Sequence, residues 1–163
     1  MELLAPVSGT AVPLSEVPDE VFAEGMAGEG GAIVPAQSGE AVAPASGTLV
    51  KLFEGGHAFG IETDEGVELI VHVGLDTIEL RGTGFEKIAT EGEKVEAGQP
   101  IVRFDLEEIR AGGYDPVTPV VVTNADEHPV GGLKTGEVSA GDPLFEVTTC
   151  GASSTAVPRT SGT

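Results

Sequence analysis

At 163 residues the chain is long enough for one domain with a real core, and a net charge of −19 excludes a nucleic-acid backbone as an obvious partner. Its 24 glycines and 11 prolines are spread along the chain, which argues against long helices and for short strands joined by turns. A single cysteine, Cys150, rules out an internal disulfide, and no apolar run approaches the ~20 residues of a spanning helix. The start has neither a basic n-region nor an apolar h-region, so the expected location is cytoplasmic. Such acidity favours a basic protein partner, drawn in by long-range attraction.

Two phrases recur along the chain. Ala5-Pro-Val-Ser-Gly-Thr10 returns as Ala43-Pro-Ala-Ser-Gly-Thr48, and Val95-Glu-Ala-Gly-Gln-Pro-Ile101 returns as Val138-Ser-Ala-Gly-Asp-Pro-Leu144. Each joins a glycine turn to a half-buried strand. One kind twice, then the other twice, predicts an all-β fold: an antiparallel sandwich or barrel of two similar, interlocked units.

Helix is confined to one or two very short pieces. Residues 15–24 have room for a turn or two around Asp19 to Phe22, and Asp105 with Glu108 starts a short helix that stops at Gly112-Gly113. Pro116 to Thr123 reads as a strand, and His128 lies in a polar turn where a solvated loop histidine is expected. Phe85 and Phe104 are assigned to the core. From position 151 the chain is small and polar with nothing to bury, so the expected organisation is a domain over 1–148 and a disordered tail over 149–163.

Between these lies a hairpin, with His57 to Glu62 as one arm, Thr63-Asp64-Glu65-Gly66 as turn material and Val67 to Val73 as the other arm. A two- or four-residue loop sets His57 opposite His72, Phe59 opposite Ile70 and Glu62 opposite Val67. That loop is favoured because it groups Phe59, Ile61 and Ile70 with the histidines. A three-residue loop, Asp64-Glu65-Gly66, would shift the pairing by one residue and turn the histidines to opposite faces.

Two imidazoles on one apolar face form a minimal site for phosphoryl transfer. A neutral ring nitrogen can attack phosphorus, and an N–H of the other ring can donate to a phosphoryl oxygen. The work is positioning and charge stabilisation, so no cofactor is required. Gly74 leaves room for backbone N–H groups to approach the phosphoryl.

Val67-Glu-Leu-Ile-Val-His72-Val-Gly74-Leu-Asp76-Thr77 resembles the phosphorylation signature of the EIIA domain of the glucose-type sugar phosphotransferase system. The likeness extends to about Val147. It includes Ala5 to Thr10, Val17 to Glu24, Val42 to Thr48, His57-Ala-Phe59, Gly84-Phe85, Glu91-Gly92, Phe104-Asp-Leu106 and Thr118 to Val122. It implies a phosphocarrier in which His72 takes phosphoryl on Nε2 from the phosphohistidine of HPr. The group then passes to a cysteine of the EIIB domain of a glucose-family permease, with His57 stabilising it. The resemblance also implies an apolar docking ring of Val21, Phe22, Met26, Ala27, Phe53 and Phe59, with Asp19 and Asp76 as acidic rim residues for an HPr arginine. Glucose-type domains often carry a Thr two residues before the first histidine to orient its ring; here Gly55-Gly56 precede His57, leaving the orienting group open. An amphipathic N-terminal extension is absent before Glu2-Leu3, so no membrane anchor is expected.

Three other functions compete with this reading. A zinc hydrolase of a related β fold would need a third ligand and a base, and the His-x-His pair of such peptidases is broken by Ile70. Zn²⁺ held by His57, His72 and a partner's carboxylate would suit regulation instead. A biotinyl or lipoyl carrier needs a lysine at a hairpin tip, where this chain has Thr63 to Gly66. A purely regulatory binding protein, read out by its phosphorylation state, is compatible with transfer.

Overall fold

The computed structural model describes residues 2–17, 29–53, 55–75, 77, 84–125 and 127–148. Strands are numbered in chain order. An eight-stranded antiparallel sheet runs, in spatial order, β13 (Gly136–Val138), β2 (Gly9–Pro13), β3 (Glu29–Pro35), β11 (Thr118–Val122), β7 (Glu68–His72), β6 (Ala58–Glu62), β5 (Gly47–Leu52) and β9 (Lys94–Val95). Two three-stranded sheets accompany it. One joins β1 (Glu2–Leu4), β14 (Pro143–Val147) and β12 (Val130–Gly131); the other joins β4 (Gly39–Val42), β10 (Pro100–Phe104) and β8 (Phe85–Lys87).

The recurring phrases pair with one another across the fold. Ala5 N–H donates to Asp142 O and Gly141 N–H to Ala5 O; in the second unit Ala43 N–H donates to Gln99 O and Gly98 N–H to Ala43 O. Ser8 Oγ accepts from Ala140 N–H as Ser46 Oγ accepts from Ala97 N–H, both at 2.9 Å. Each early phrase is thus locked by a late one, which is what interlocks the two units. Gly9 and Gly47 make the same close approach: a Cβ there would lie 2.0 Å from Val34 O and 2.4 Å from Glu62 O.

Helix content matches its sequence signals. Helix α1 (Leu106–Ala111) starts at Asp105, whose carboxylate accepts from Glu107 N–H at 3.0 Å and Glu108 N–H at 3.3 Å, and it ends at Gly112. A 3-10 turn covers Leu14–Glu16; the rest of the expected 15–24 helix lies mostly outside the described residues. No helix among the described residues is long and apolar enough to cross a membrane. Cys150 and the 149–163 tail also lie outside them.

Strand alternation divides the interior. On β7, Leu69 and Val71 enter the main core with Phe59, Ile61 and Phe145, as does Val73 just beyond the strand. Ile70 on the opposite face joins a second cluster of Leu14, Val17, Ala32, Leu75, Val117 and Val121. With a period of two, His72 shares the face of Ile70 and looks away from the main core.

The β6–β7 register differs from the expected one. Ala58 pairs with His72, Phe59 with Val71, Gly60 with Ile70 and Glu62 with Glu68. The loop is the three-residue alternative: Thr63 N–H donates to Val67 O at 2.9 Å, Gly66 N–H to Thr63 O at 3.0 Å, and Gly66 takes φ +92°. Thr63 Oγ1 also accepts from Val67 N–H at 3.1 Å, which favours the odd loop by satisfying a buried donor.

Candidate functional site

That shift should have parted the histidines, yet their ring centroids are 5.3 Å apart with planes at 66°. The reason is local. His57 does not belong to the regular strand, which begins at Ala58; it sits in the β5–β6 loop directly after Gly56, at φ +78°. Phe53 N–H donates to Ala58 O and Gly56 N–H to Phe53 O, closing that loop, while Val73 N–H donates to His57 O at 2.7 Å. Alternation of side chains holds within a ladder and lapses in a bend, so His57 is free to reach across the edge to His72.

His72 is held from behind. Its Nδ1 lies 2.5 Å from the carbonyl oxygen of Gly74. A carbonyl only accepts, so Nδ1 carries the proton and Nε2 the lone pair. Gly74 is at φ +82°, and its neighbourhood is fixed by Thr77 Oγ1 donating to Val73 O at 2.6 Å and by Leu75 N–H donating to Asp115 O at 2.8 Å. Thr77 is fully buried. Gly74 thus has a role that the sequence did not suggest: its carbonyl sets the tautomer of His72.

His57 is only 3% exposed, and its pKa is lowered from 6.5 to about 4, first by burial and then by His72. It is neutral at neutral pH. Its Nδ1 is buried without a hydrogen-bond partner. Packing orients the ring instead: Phe53 stands edge-on at 5.4 Å and Phe85 at 6.5 Å between centroids. This answers what replaces the usual threonine, since Gly55 offers no side chain. A buried unpaired lone pair costs less than a buried unpaired N–H, so Nδ1 is left bare and the single proton of neutral His57 sits on Nε2.

One phenylalanine departs from expectation and a second touches the site. Phe59 is wholly buried in the main core and offers no surface to a partner, because its odd-numbered position on β6 faces inward. Phe85, assigned to the core, packs half-buried against the main core and also on His57. The signal was Gly84, at φ +87°, a turn residue that puts Phe85 at the start of an edge strand. Phe104 is in the core as expected, and Phe53 is half-buried beside His57. Asp19, Val21, Phe22, Met26, Ala27 and Asp76 lie outside the described residues.

His128 corrects a further expectation. It is 5% exposed, and its Nδ1 lies 3.0 Å from Thr148 O, tying its turn to the end of β14. For zinc, the site supplies two imidazoles, and no group of three or more His, Cys, Asp or Glu suited to a metal occurs among the described residues. The chain's own described donors do not complete a zinc set.

Fold and site together define a β domain that presents an imidazole anchored to a backbone carbonyl beside a buried neutral one. The family model for the phosphoenolpyruvate-dependent sugar phosphotransferase system, EIIA 1, matches residues 1–128, and the chain belongs to that family. It is 48% identical over 124 residues to the PTS system beta-glucoside-specific EIIBCA component of Bacillus subtilis, covering 76% of this chain and 20% of that protein. It is 46% identical over 127 residues to the PTS system glucose-specific EIIA component of Borreliella burgdorferi, covering 78% and 67%. Glucose permease IIA from Mycoplasma capricolum has a similar structure, with a TM-score of 0.84 at 42% identity, covering 89% of this chain and 94% of that one. The chain spans about a fifth of the length of the multidomain relatives it matches. Membership makes it a component of a phosphotransferase system for sugar transport.

Proposed function

We propose that residues 1–148 form a phosphocarrier that accepts phosphoryl on His72 Nε2 from the phosphohistidine of HPr. It passes the group to a cysteine of the EIIB domain of a glucose-family permease. The observation that carries this reading is the bond between His72 Nδ1 and Gly74 O beside a neutral His57. In the accepting step the Nε2 lone pair forms the new P–N bond, the donor's P–N bond breaks, and its electron pair returns to the donor ring. The positive charge left on His72 is shared with the Gly74 carbonyl through the Nδ1 proton. His57 Nε2–H donates to a phosphoryl oxygen. In the second step a cysteine thiolate attacks the same phosphorus, an S–P bond forms, and the electron pair of the P–N bond returns to Nε2.

Docking is proposed over Phe53 and the acidic and apolar residues Asp19, Val21, Phe22, Met26 and Asp76, on the strength of the family motif. Phe59 is not among them. Phosphorylation-dependent binding of regulatory targets rests on the same surface.

Incubation with phosphoenolpyruvate, enzyme I and HPr should place an acid-labile phosphate on His72, located by mass spectrometry. His72→Ala should abolish it, and label recovered in that variant would overturn the assignment.

A further inference from the structure

In a chain of net charge −19, the cations beside the histidine pair stand out. Lys94 pairs with Asp64 at 3.1 Å, and Arg103 pairs with Glu40 and Glu86. Lys51 on β5 and Lys87 at the end of β8 are exposed, and neither forms an ion pair among the described residues. Both line one open pocket of about 640 Å³ with Leu52, Ala89, Thr90 and Glu91. Glu91 is the acid in that lining, and its Oε1 accepts from Leu52 N–H at 2.9 Å, which ties it to the backbone.

The pocket adjoins the site through direct contacts. Lys51 Nζ lies 5.5 Å from the centroid of the Phe53 ring, which itself packs on His57. The stem of Lys87 runs along Gly56, its Cγ 3.2 Å from where a Cβ on that glycine would sit. Ile88, 43% exposed, follows Lys87. A protein covering the histidines therefore also covers these two ammonium groups.

We propose that Lys51 and Lys87 receive a carboxylate side chain of the protein that docks on the histidine pair, an inference that rests on the phosphocarrier reading. A side chain suits the pocket better than a free anion. The pocket is open, and its cationic donors are two flexible ammonium groups on an exposed rim, whereas tight binding of a small anion calls for a preorganised, desolvated cradle. A carboxylate delivered on an already docked surface needs only complementary rim charge. The lip also fixes orientation: the acidic body attracts a basic partner in many poses, and two lysines beside the site reject poses that place its cations there.

The test is phosphorylation kinetics with phospho-HPr. Lys51→Gln/Lys87→Gln should raise KM for the donor roughly 5- to 10-fold at low salt and leave kcat within about twofold, with the gap closing as salt rises. Among donor variants with single Asp→Asn or Glu→Gln changes, one should raise KM on the wild type and not on the double variant. Equal KM for wild type and variant, or strictly additive effects for every donor carboxylate, overturns the proposal. So does saturable binding of inorganic phosphate to the free protein that the two lysine substitutions abolish. Wild-type protein that takes no label overturns the phosphocarrier reading and this inference with it, whereas labelled wild type with unchanged lysine variants overturns this inference alone.

Discussion

His72 Nδ1 and the carbonyl oxygen of Gly74 are 2.5 Å apart, and that contact decides which nitrogen of the neutral ring keeps its lone pair. Nitrogen-detected NMR of the unmodified protein with the ring neutral should show a protonated Nδ1 and an unprotonated Nε2. The reverse pattern would remove the chemical basis of the assignment.

Gly74→Ala should weaken both fold and transfer. The residue sits at φ +82°, and a Cβ there would lie 2.5 Å from Thr77 Cγ2 and 3.2 Å from Asp115 O. A cost of about 2–3 kcal/mol is expected from left-handed strain plus the clash, read as a lower urea midpoint, with slower labelling as the carbonyl moves. Adding Thr77→Ser removes the clashing methyl and keeps the hydroxyl that bonds Val73 O, so stability should be partly restored. No recovery would argue that strain alone is responsible.

His57→Gln should still accept phosphoryl but donate it roughly 10²-fold more slowly, within the usual worth of a positioned proton donor. An arriving dianion favours the protonated imidazole, opposing the burial that now keeps it neutral; an amide has no proton to gain. Equal single-turnover transfer to EIIB by variant and wild type would refute the role.

Burial of His57 also ties stability to pH. Its pKa is about 4 in the native state against 6.5 as reference, so the unfolded chain binds this proton first as pH falls. The contribution is whole above about pH 6.5, declines between 6.5 and 4, and levels off below, for a total on the order of 3 kcal/mol. Urea midpoints at pH 7 and 4.5 should therefore fall further apart in the wild type than in His57→Gln, where this group no longer titrates. Matching differences would show that His57 is not desolvated.

His128→Ala should destabilise by about 2 kcal/mol, through a small cavity and an unpaired Thr148 carbonyl. The ring is 5% exposed and far from a solvated loop residue in its surroundings. A change in the thermal midpoint of under a degree would indicate that the contact contributes nothing.

Local chemistry made much of this legible. The Asp105 cap and the Gly112 stop act within one turn, so their meaning does not depend on distant residues. The paired phrases at Ala5 and Ala43 announced two similar units because repeated sequence repeats its local structure. What failed was register and direction. The odd loop at Thr63 was preferred through a hydroxyl bond that composition does not weigh, and Phe59 faces inward opposite Val71 in the register that loop sets.

Sequence by itself determined the β class and the short helix and singled out the two histidines as candidates, because period, capping and side-chain chemistry are short-range properties. Tertiary structure alone decided that the rings meet, since the meeting depends on a bend at Gly56 that breaks alternation and on a carbonyl brought to His72 by the fold around Thr77 and Asp115. It also decided their inequality. One imidazole is desolvated into a neutral donor and the other tied into a single tautomer, and burial of that kind comes only from strands far apart in the chain.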